Sequence, residues 1–406
     1  MNKTYTLQVI KSTHPYYKEC MDLCIISKQL YNVGLYQLRQ TLIHSGYFLS
    51  SKAVYAGMKQ NENWISLPRK VSNKIWKQVT TNWSSWLKGL KRYKKAPNSF
   101  TGRPKIPKYN KSLNVVAYEK GALGIKGLPK GQIRLSQTNI ILDISHLKGD
   151  IVEAKIIPKK NKFLIKVTYK EDMTENNLDY NKIAGIDLGV NNLITVATNQ
   201  ADLSHVMVNG RGLKSINQYW NKKVSKLKSK LAKGVKSSKR IRNLTEKRNA
   251  KIDDYLHKAS SKVVNWLIDN KVGTLVIGKN KQWKSRIKIG KRNNQNFVQI
   301  PHARLIELII YKYEQQNGIV VTNEESYTSK ASALDLDTLP KRQLKKKQTF
   351  SGRRIKRGLY KTAKGLLINA DINGALNIIR KVAKNSIDDL VEDAQFIHRC
   401  VTPKFI

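Results

Sequence analysis

Residues 182–199 read KIAGIDLGVNNLITVATN, two apolar runs around a Gly-Val-Asn-Asn turn with one carboxylate, Asp187, inside the first run. Two such runs across a tight turn pair as a β-hairpin. An acid embedded in an apolar strand is costly to desolvate, so the fold must give it a partner or a task. This hairpin constrains what the second half of the chain can become.

Downstream, VGTLVI at 272–277 and IVVT at 319–322 read as buried-type strands. Between them Pro301 starts a helix with Leu305, Leu308, Ile309 and Tyr313 on its apolar face. NADINGALNIIRKV, 369–382, reads as an apolar helix with Asp371 at its start. A hairpin, a helix, a strand and a helix, with one acid on the first strand and another at a late helix start, is how ribonuclease H-like folds place carboxylates. Converging carboxylates hold hard Mg2+ ions, one activating water and the other stabilising the leaving oxygen. Nitrogen and sulfur ligands suit Mg2+ poorly. An Asp in GIDLG also occurs in sugar-kinase-like ATPase folds, but the second Gly-rich phosphate loop these need is missing. None of the seven histidines lies in a nucleophile-elbow setting. Asp371 by itself also suits a plain helix cap, and it is the basic character of the chain that favours a nuclease.

That basic character is extreme. The 406 residues include 76 Lys and Arg against 28 Asp and Glu, a formal charge of +48. A compact chain with that excess repels itself unless a polyanion neutralises it, and nucleic acid is the natural one. Residues 211–260 hold 16 Lys and Arg against three acids, on a helix-turn-helix-like pattern through Leu227, Leu231 and Ile241. We read a helical hairpin lying along a nucleic-acid backbone, with Lys222, Lys223, Lys226, Lys239 and Arg240 as phosphate contacts. The Pro-, Gly- and Lys-rich loop 94–112 adds Arg103, Lys105 and Lys108, and a later Lys-rich stretch adds Arg353, Arg354, Lys356 and Arg357. Cys20 and Cys24 share one face of a helix and read as core; without a CxxC, zinc is not expected. No apolar stretch reaches about 18 residues and no signal peptide opens the chain, so a cytoplasmic protein without a membrane partner is expected.

An α+β multidomain organisation follows. Residues 1–172 read as a small β-barrel interrupted by helices: a strand at 4–10, a helix from Tyr16 to about His44, and a second helix after Leu67-Pro68. Strands then recur at 113–118, 132–135, 139–144, 151–157 and 163–169. The tryptophans Trp76, Trp83 and Trp86 read as core. A polar linker covers 173–181, the new domain runs over 182–382, and 383–406 is a weakly patterned tail.

The strings GIDLGVNNLITVATN, YLHKASSKVV, NEESYTSKAS and NADINGALNIIRKV, in that order, resemble TnpB proteins, with LPRKVSNKIWKQV and GRPKIPKY extending the likeness upstream. These are transposon-encoded, RNA-guided DNA endonucleases related to type V CRISPR effectors. The resemblance implies a wedge β-barrel with a helical recognition insert at about 14–112, then a RuvC-like nuclease domain. That domain would carry a basic helical hairpin at about 211–270 and an insert at about 328–368. It also implies two Mg2+ ions, a guide RNA derived from the transposon end, and double-stranded target DNA cut next to a short adjacent motif. Two departures stand out. The insert lacks the four cysteines of the family's zinc ribbon and must be held by packing or by nucleic acid. The strand that should end in a catalytic glutamate reads LVIGKN, placing Gly278 at that position. Glu324 and Glu325 close the next strand instead. Period-two alternation lets only one face the site, and the apolar pattern does not fix which. The likeness is strongest in ESYTSK, so Glu325 is the expected partner of Asp187 and Asp371, in catalysis and as metal ligands, with Glu324 as the alternative. Two other readings follow from the same residues: a nuclease-dead RNA-guided repressor, motivated by Gly278, and an accessory protein of a separate transposase.

Overall fold

The computed structural model describes residues 2–48, 50–172, 176–279, 290–340 and 348–406. They form two compact units, Met1–Asp172 and Met173–Ile406. Among the described residues no helix is long and apolar enough to cross a membrane.

The first unit runs β1 (Asn2–Lys11), α1 (Tyr17–Ser45), α2 (Ser51–Met58), α3 (Glu62–Ile65), α4 (Arg69–Lys95) and β2 (Val116–Glu119). It continues through β3 (Leu123–Gly124), β4 (Gln132–Leu135), β5 (Ile141–Asp143), β6 (Asp150–Lys159) and β7 (Lys162–Lys170). Where one barrel was expected there are two sheets, β1-β7-β6-β2 and β3-β4-β5. The stretch from 120 to 131 is broken by four glycines, leaving strands too short to carry one sheet around into the next. The strand expected at 113–118 starts at Val116; the backbone N–H of the buried Asn114 is directed at Cys24 O (3.4 Å) instead of a neighbouring strand. Along α1 the buried stripe Cys20, Leu23, Cys24, Leu30, Tyr31, Leu35 and Leu38 keeps helical spacing, and Val71, Ile75, Val79 and Trp83 do so along α4. Trp76 and Trp83 are buried and Trp86 packs at the edge of this core. The short α2 and α3 escaped periodicity but carry side-chain caps: Ser50 Oγ accepts from Ala53 N at 3.2 Å and Asn61 Oδ1 from Asn63 N at 3.0 Å. The basic loop is pinned to the helices. Arg39 donates to Pro107 O at 2.6 Å and Asn32 donates to Asn110 O at 3.0 Å, which leaves Arg103, Lys105 and Lys108 exposed.

The second unit begins with β8 (Asp179–Leu188), β9 (Asn192–Thr198), β10 (Val206–Asn209), α5 (Arg211–Lys228), α6 (Lys239–Asp269) and β11 (Val272–Gly278). It goes on through α7 (Lys291–Gln299), α8 (His302–Glu314), β12 (Ile319–Asn323), β13 (Arg353–Lys356), β14 (Leu359–Lys361) and β15 (Leu367–Asn369). It ends with α9 (Ala370–Arg380), α10 (Ala394–Val401) and β16 (Lys404–Phe405). Its main sheet has the order β12-β11-β8-β9-β10-β16. β8, β11 and β12 are parallel, and β9 returns antiparallel to β8.

Strand alternation divides the two faces of this sheet. Ala184, Ile186, Leu188, Leu275 and Ile277 enter a core with α6 and α8. Ile183 instead joins the core built by α9 and α10. Positions 185 and 187 share its face and look toward α9.

Several expectations are corrected here. Asp179–Asn181 belong to β8 rather than to a linker, with Asp179 N donating to Lys271 O at 2.8 Å; residues 173–175 of that linker lie outside the described residues. After β11, residues Lys291–Gln299 form a helix that the sequence reading did not anticipate. The insert forms a three-stranded sheet, β13-β14-β15. The C-terminal tail is no loose end: β16 pairs with β10, and Ile387, Phe396 and Cys400 are fully buried. Phe396→Ala should therefore cost about 3–5 kcal/mol of stability in urea denaturation; a loss below about 1 kcal/mol would show the tail to be dispensable.

Candidate active site

Asp187 stands one residue before the end of β8, half-buried and opposite Thr195 of β9. Its Oδ2 lies 3.0 Å from where a Cβ on Gly374 of α9 would stand. Loss of water pushes its carboxyl up to about 7, and the negative charges of Glu325 and Asp371 push the same way. The guanidinium of Arg354 and the amide of Leu188 act against them. The three carboxylates named from the sequence are thus within electrostatic reach of one another.

Glu325 lies just beyond β12, whose last residue Asn323 pairs with Gly278. Its Oε2 is 2.7 Å from where a Cβ on Gly278 would be. Any side chain at 278 would collide with that carboxylate, so the glycine is the space the glutamate occupies. Burial first, and then the neighbouring charge of Glu324, hold Glu325 up to about 7 against the pull of Lys381. Glu324 turns the other way. It accepts from Lys381 Nζ at 3.0 Å and from Ser326 N at 3.1 Å.

Asp371 is not the cap of α9. Asn369 is, its Oδ1 accepting from Asp371 N at 2.9 Å and Ile372 N at 3.2 Å. The Asp371 carboxylate is thereby released to accept from Asn192 Nδ2 at 2.8 Å and Arg354 Nη2 at 3.1 Å. The β8–β9 turn is steadied by the buried His302, whose Nε2 lies 3.0 Å from Gly189 O. Among the described residues no three acid, His or Cys side chains lie close enough to hold a metal ion as they stand.

Of the cations expected on nucleic acid, Arg354 sits instead against Asp371, while Arg353, Lys356 and Arg357 are exposed on or beside the same strand. Lys222, Lys223 and Lys226 are exposed on α5, with Lys223 Nζ 5.6 Å from the Tyr219 ring. Lys239 and Arg240, at the start of α6, line a shallow groove of about 520 Å³. Sequence reasoning missed Asn192, Lys381 and Gly374. Asn192 could have been found as the polar residue closing the hairpin turn, whereas the other two required the packing of α9.

The raised carboxyl of Asp187 makes a signed prediction. Its folded pKa of about 7 lies above the ordinary value of 3.8, so the unfolded chain gives up that proton first as pH rises. The penalty is absent below the ordinary value, grows up to about 7, and then levels off. In the metal-free chain, Asp187→Asn should be stabilising by a margin that widens through that window, by up to about 1.4 kcal/mol per pH unit. Urea denaturation at several pH values measures it, and a margin that does not change with pH would refute the electrostatic account.

A family model described as "Probable transposase", OrfB_IS605, matches residues 165–284. Another, "Cas12f1-like, TNB domain", matches residues 302–378. The CRISPR-associated endodeoxyribonuclease Cas12f1 of Sulfoacidibacillus thermotolerans is 28% identical over 248 residues, 58% of this chain and 53% of that protein. The match therefore spans about half the length of that relative. Among solved structures, a Cas12f1-sgRNA-target DNA complex aligns over 93% of this chain and 98% of its own at 17% identity and a TM-score of 0.38. The mini-RNA-guided endonuclease CRISPR-Cas_phi3 aligns over 95% and 92% at 10% identity and a TM-score of 0.45. The first family model spans Asp187 and Gly278, the second spans Glu325 and Asp371, and they follow in chain order; the chain is a TnpB-like protein related to the type V CRISPR effectors.

Proposed function

We propose that this chain is an RNA-guided DNA endonuclease of a transposable element, with a RuvC-like centre formed by Asp187, Glu325 and Asp371. What supports the reading is that the three acids stand at the ends of β8 and β12 and the start of α9, near enough for Glu325 and Asp371 to add to the burial that holds the Asp187 carboxyl up to about 7. A carboxylate whose charge is disfavoured by burial and by two neighbouring acids creates a demand for positive charge that a divalent cation meets. All the donors are oxygen, which suits Mg2+. Bound there, such ions would supply an activated water and stabilise the leaving oxygen of a phosphodiester.

The chain's own groups prepare the centre. Asn192 Nδ2 and Arg354 Nη2 each hold one oxygen of Asp371, fixing its plane. Arg354 also supplies charge beside Asp187. The exposed cations of α5, α6 and the basic loop suit the backbones of a guide RNA and of double-stranded target DNA. The name of the relative, an endodeoxyribonuclease, supports the same class of activity. This reading assigns the wedge to the two sheets of the first unit, and it includes cutting next to a short adjacent motif. The repressor reading drew on Gly278, and the carboxylate of Glu325 beside that glycine favours the active enzyme.

The test is to express the chain with its flanking transposon DNA, sequence the co-purified RNA, and offer matched DNA with Mg2+. Cleavage should be lost in Asp187→Ala and in Glu325→Gln, and equal cutting by either variant would overturn the assignment. Gly278→Ala, which pushes a methyl group into the Glu325 carboxylate, should lower the rate about 10–100-fold, measured in single-turnover cleavage.

A further inference from the structure

A glutamate at position 278 would stand on the last residue of a paired strand, held by its ladder. Glu325 lies two residues past the end of β12, where no ladder holds it. Something else must fix it. Along α9, positions 369, 373, 377 and 381 recur every fourth residue and share one face. Asn369 caps the helix. The fully buried Asn373 accepts from Ala333 N at 2.9 Å and donates to Ala331 O at 2.8 Å. Asn377, also fully buried, donates to Thr328 O at 3.0 Å and Ala331 O at 2.8 Å, and its own oxygen accepts from Arg380 Nη1 at 2.9 Å. Lys381, its side chain only 8% exposed, donates to Glu324 Oε2 at 3.0 Å.

Apart from Arg380, the partners of the Asn373, Asn377 and Lys381 side chains lie in one segment, 324–333, which contains Glu325. The segment also holds Tyr327 at φ +68°, a left-handed conformation that is unfavourable for a non-glycine residue and persists only under outside constraint. Two buried amides and one nearly buried ammonium, all turned on ten residues of backbone and one acid, form a clamp.

We propose that Asn373, Asn377 and Lys381 are positioning residues that decide which of two consecutive glutamates reaches Asp187. Lys381 draws Glu324 away while the two asparagines fix the backbone beyond, so that Glu325 is presented over Gly278. The inference rests on the carboxylates forming a divalent-cation site.

The experiment uses the full chain with its guide RNA and compares wild type with Lys381→Met, Lys381→Arg, Asn377→Ala and Asp187→Asn. Mn2+ binding is measured by calorimetry, target-DNA binding separately in Ca2+, and folding by thermal denaturation. Lys381→Met and Asn377→Ala should weaken Mn2+ binding about 10–100-fold with DNA affinity unchanged. Lys381→Arg, which keeps a cation for Glu324, should recover most of that loss. Folded Lys381→Met with wild-type Mn2+ affinity would overturn the proposal, as would a loss confined to DNA affinity, which would make Lys381 a phosphate contact. If Asn377→Ala does not fold, the Lys381 pair decides alone. Wild type whose Mn2+ binding does not depend on Asp187 would overturn the metal-site reading and this inference together. Intact wild-type binding with indifferent Lys381 variants would overturn this inference only.

Discussion

The second unit depends on how α9 lies across the carboxyl ends of β8 and β11. That packing brings Asp371 beside Asp187, sets Ile378 against Gly278, and turns the polar face of the helix onto the segment that carries Glu325. It also creates the problem that the rest of the structure answers. Three acids gathered in a half-buried place repel one another, and folding alone gives no reason to collect them. Arg354 and Asn192 relieve part of the repulsion.

Arg354 reaches Asp371 from the insert, and the insert has its own way of holding shape. Asp335 Oδ2 accepts from Ala363 N at 2.7 Å, and Asp337 Oδ2 accepts from Ser332 N at 2.7 Å and Ser351 N at 3.2 Å. Tyr360, fully buried, donates to Lys330 O at 2.8 Å. Two carboxylates and a phenol thus tie together a sheet whose first strand is exposed along its whole length. The expectation of stabilisation by packing or nucleic acid left out such hydrogen bonds, which no periodicity announces.

Legibility followed the physics of each element. The β8–β9 hairpin and α9 were readable because their apolar runs are long and regular, and Asp187 stood out against them. Glu324 and Glu325 could not be separated because β12 is the edge strand of its sheet, with both faces half-covered, so its alternation carries almost no signal. Only its register against β11 and the contacts of Val320 fix the phase. α10 was missed because eight residues show too little pattern, and its burial comes from partners nearly two hundred positions away, such as His205 beside Cys400. The strands of the insert were missed because RRIK, on a fully exposed strand, looks like any charged loop.

The empty side chain at Gly278 has a meaning beyond this chain. A census taken along the sequence, column by column, counts one acid missing there. A census taken in space finds a carboxylate at that spot, delivered from the neighbouring strand. Because β11 and β12 are parallel and in register, their ends are interchangeable addresses for one functional group. On the proposed reading, a site of this kind is defined by a location rather than by a position in the sequence.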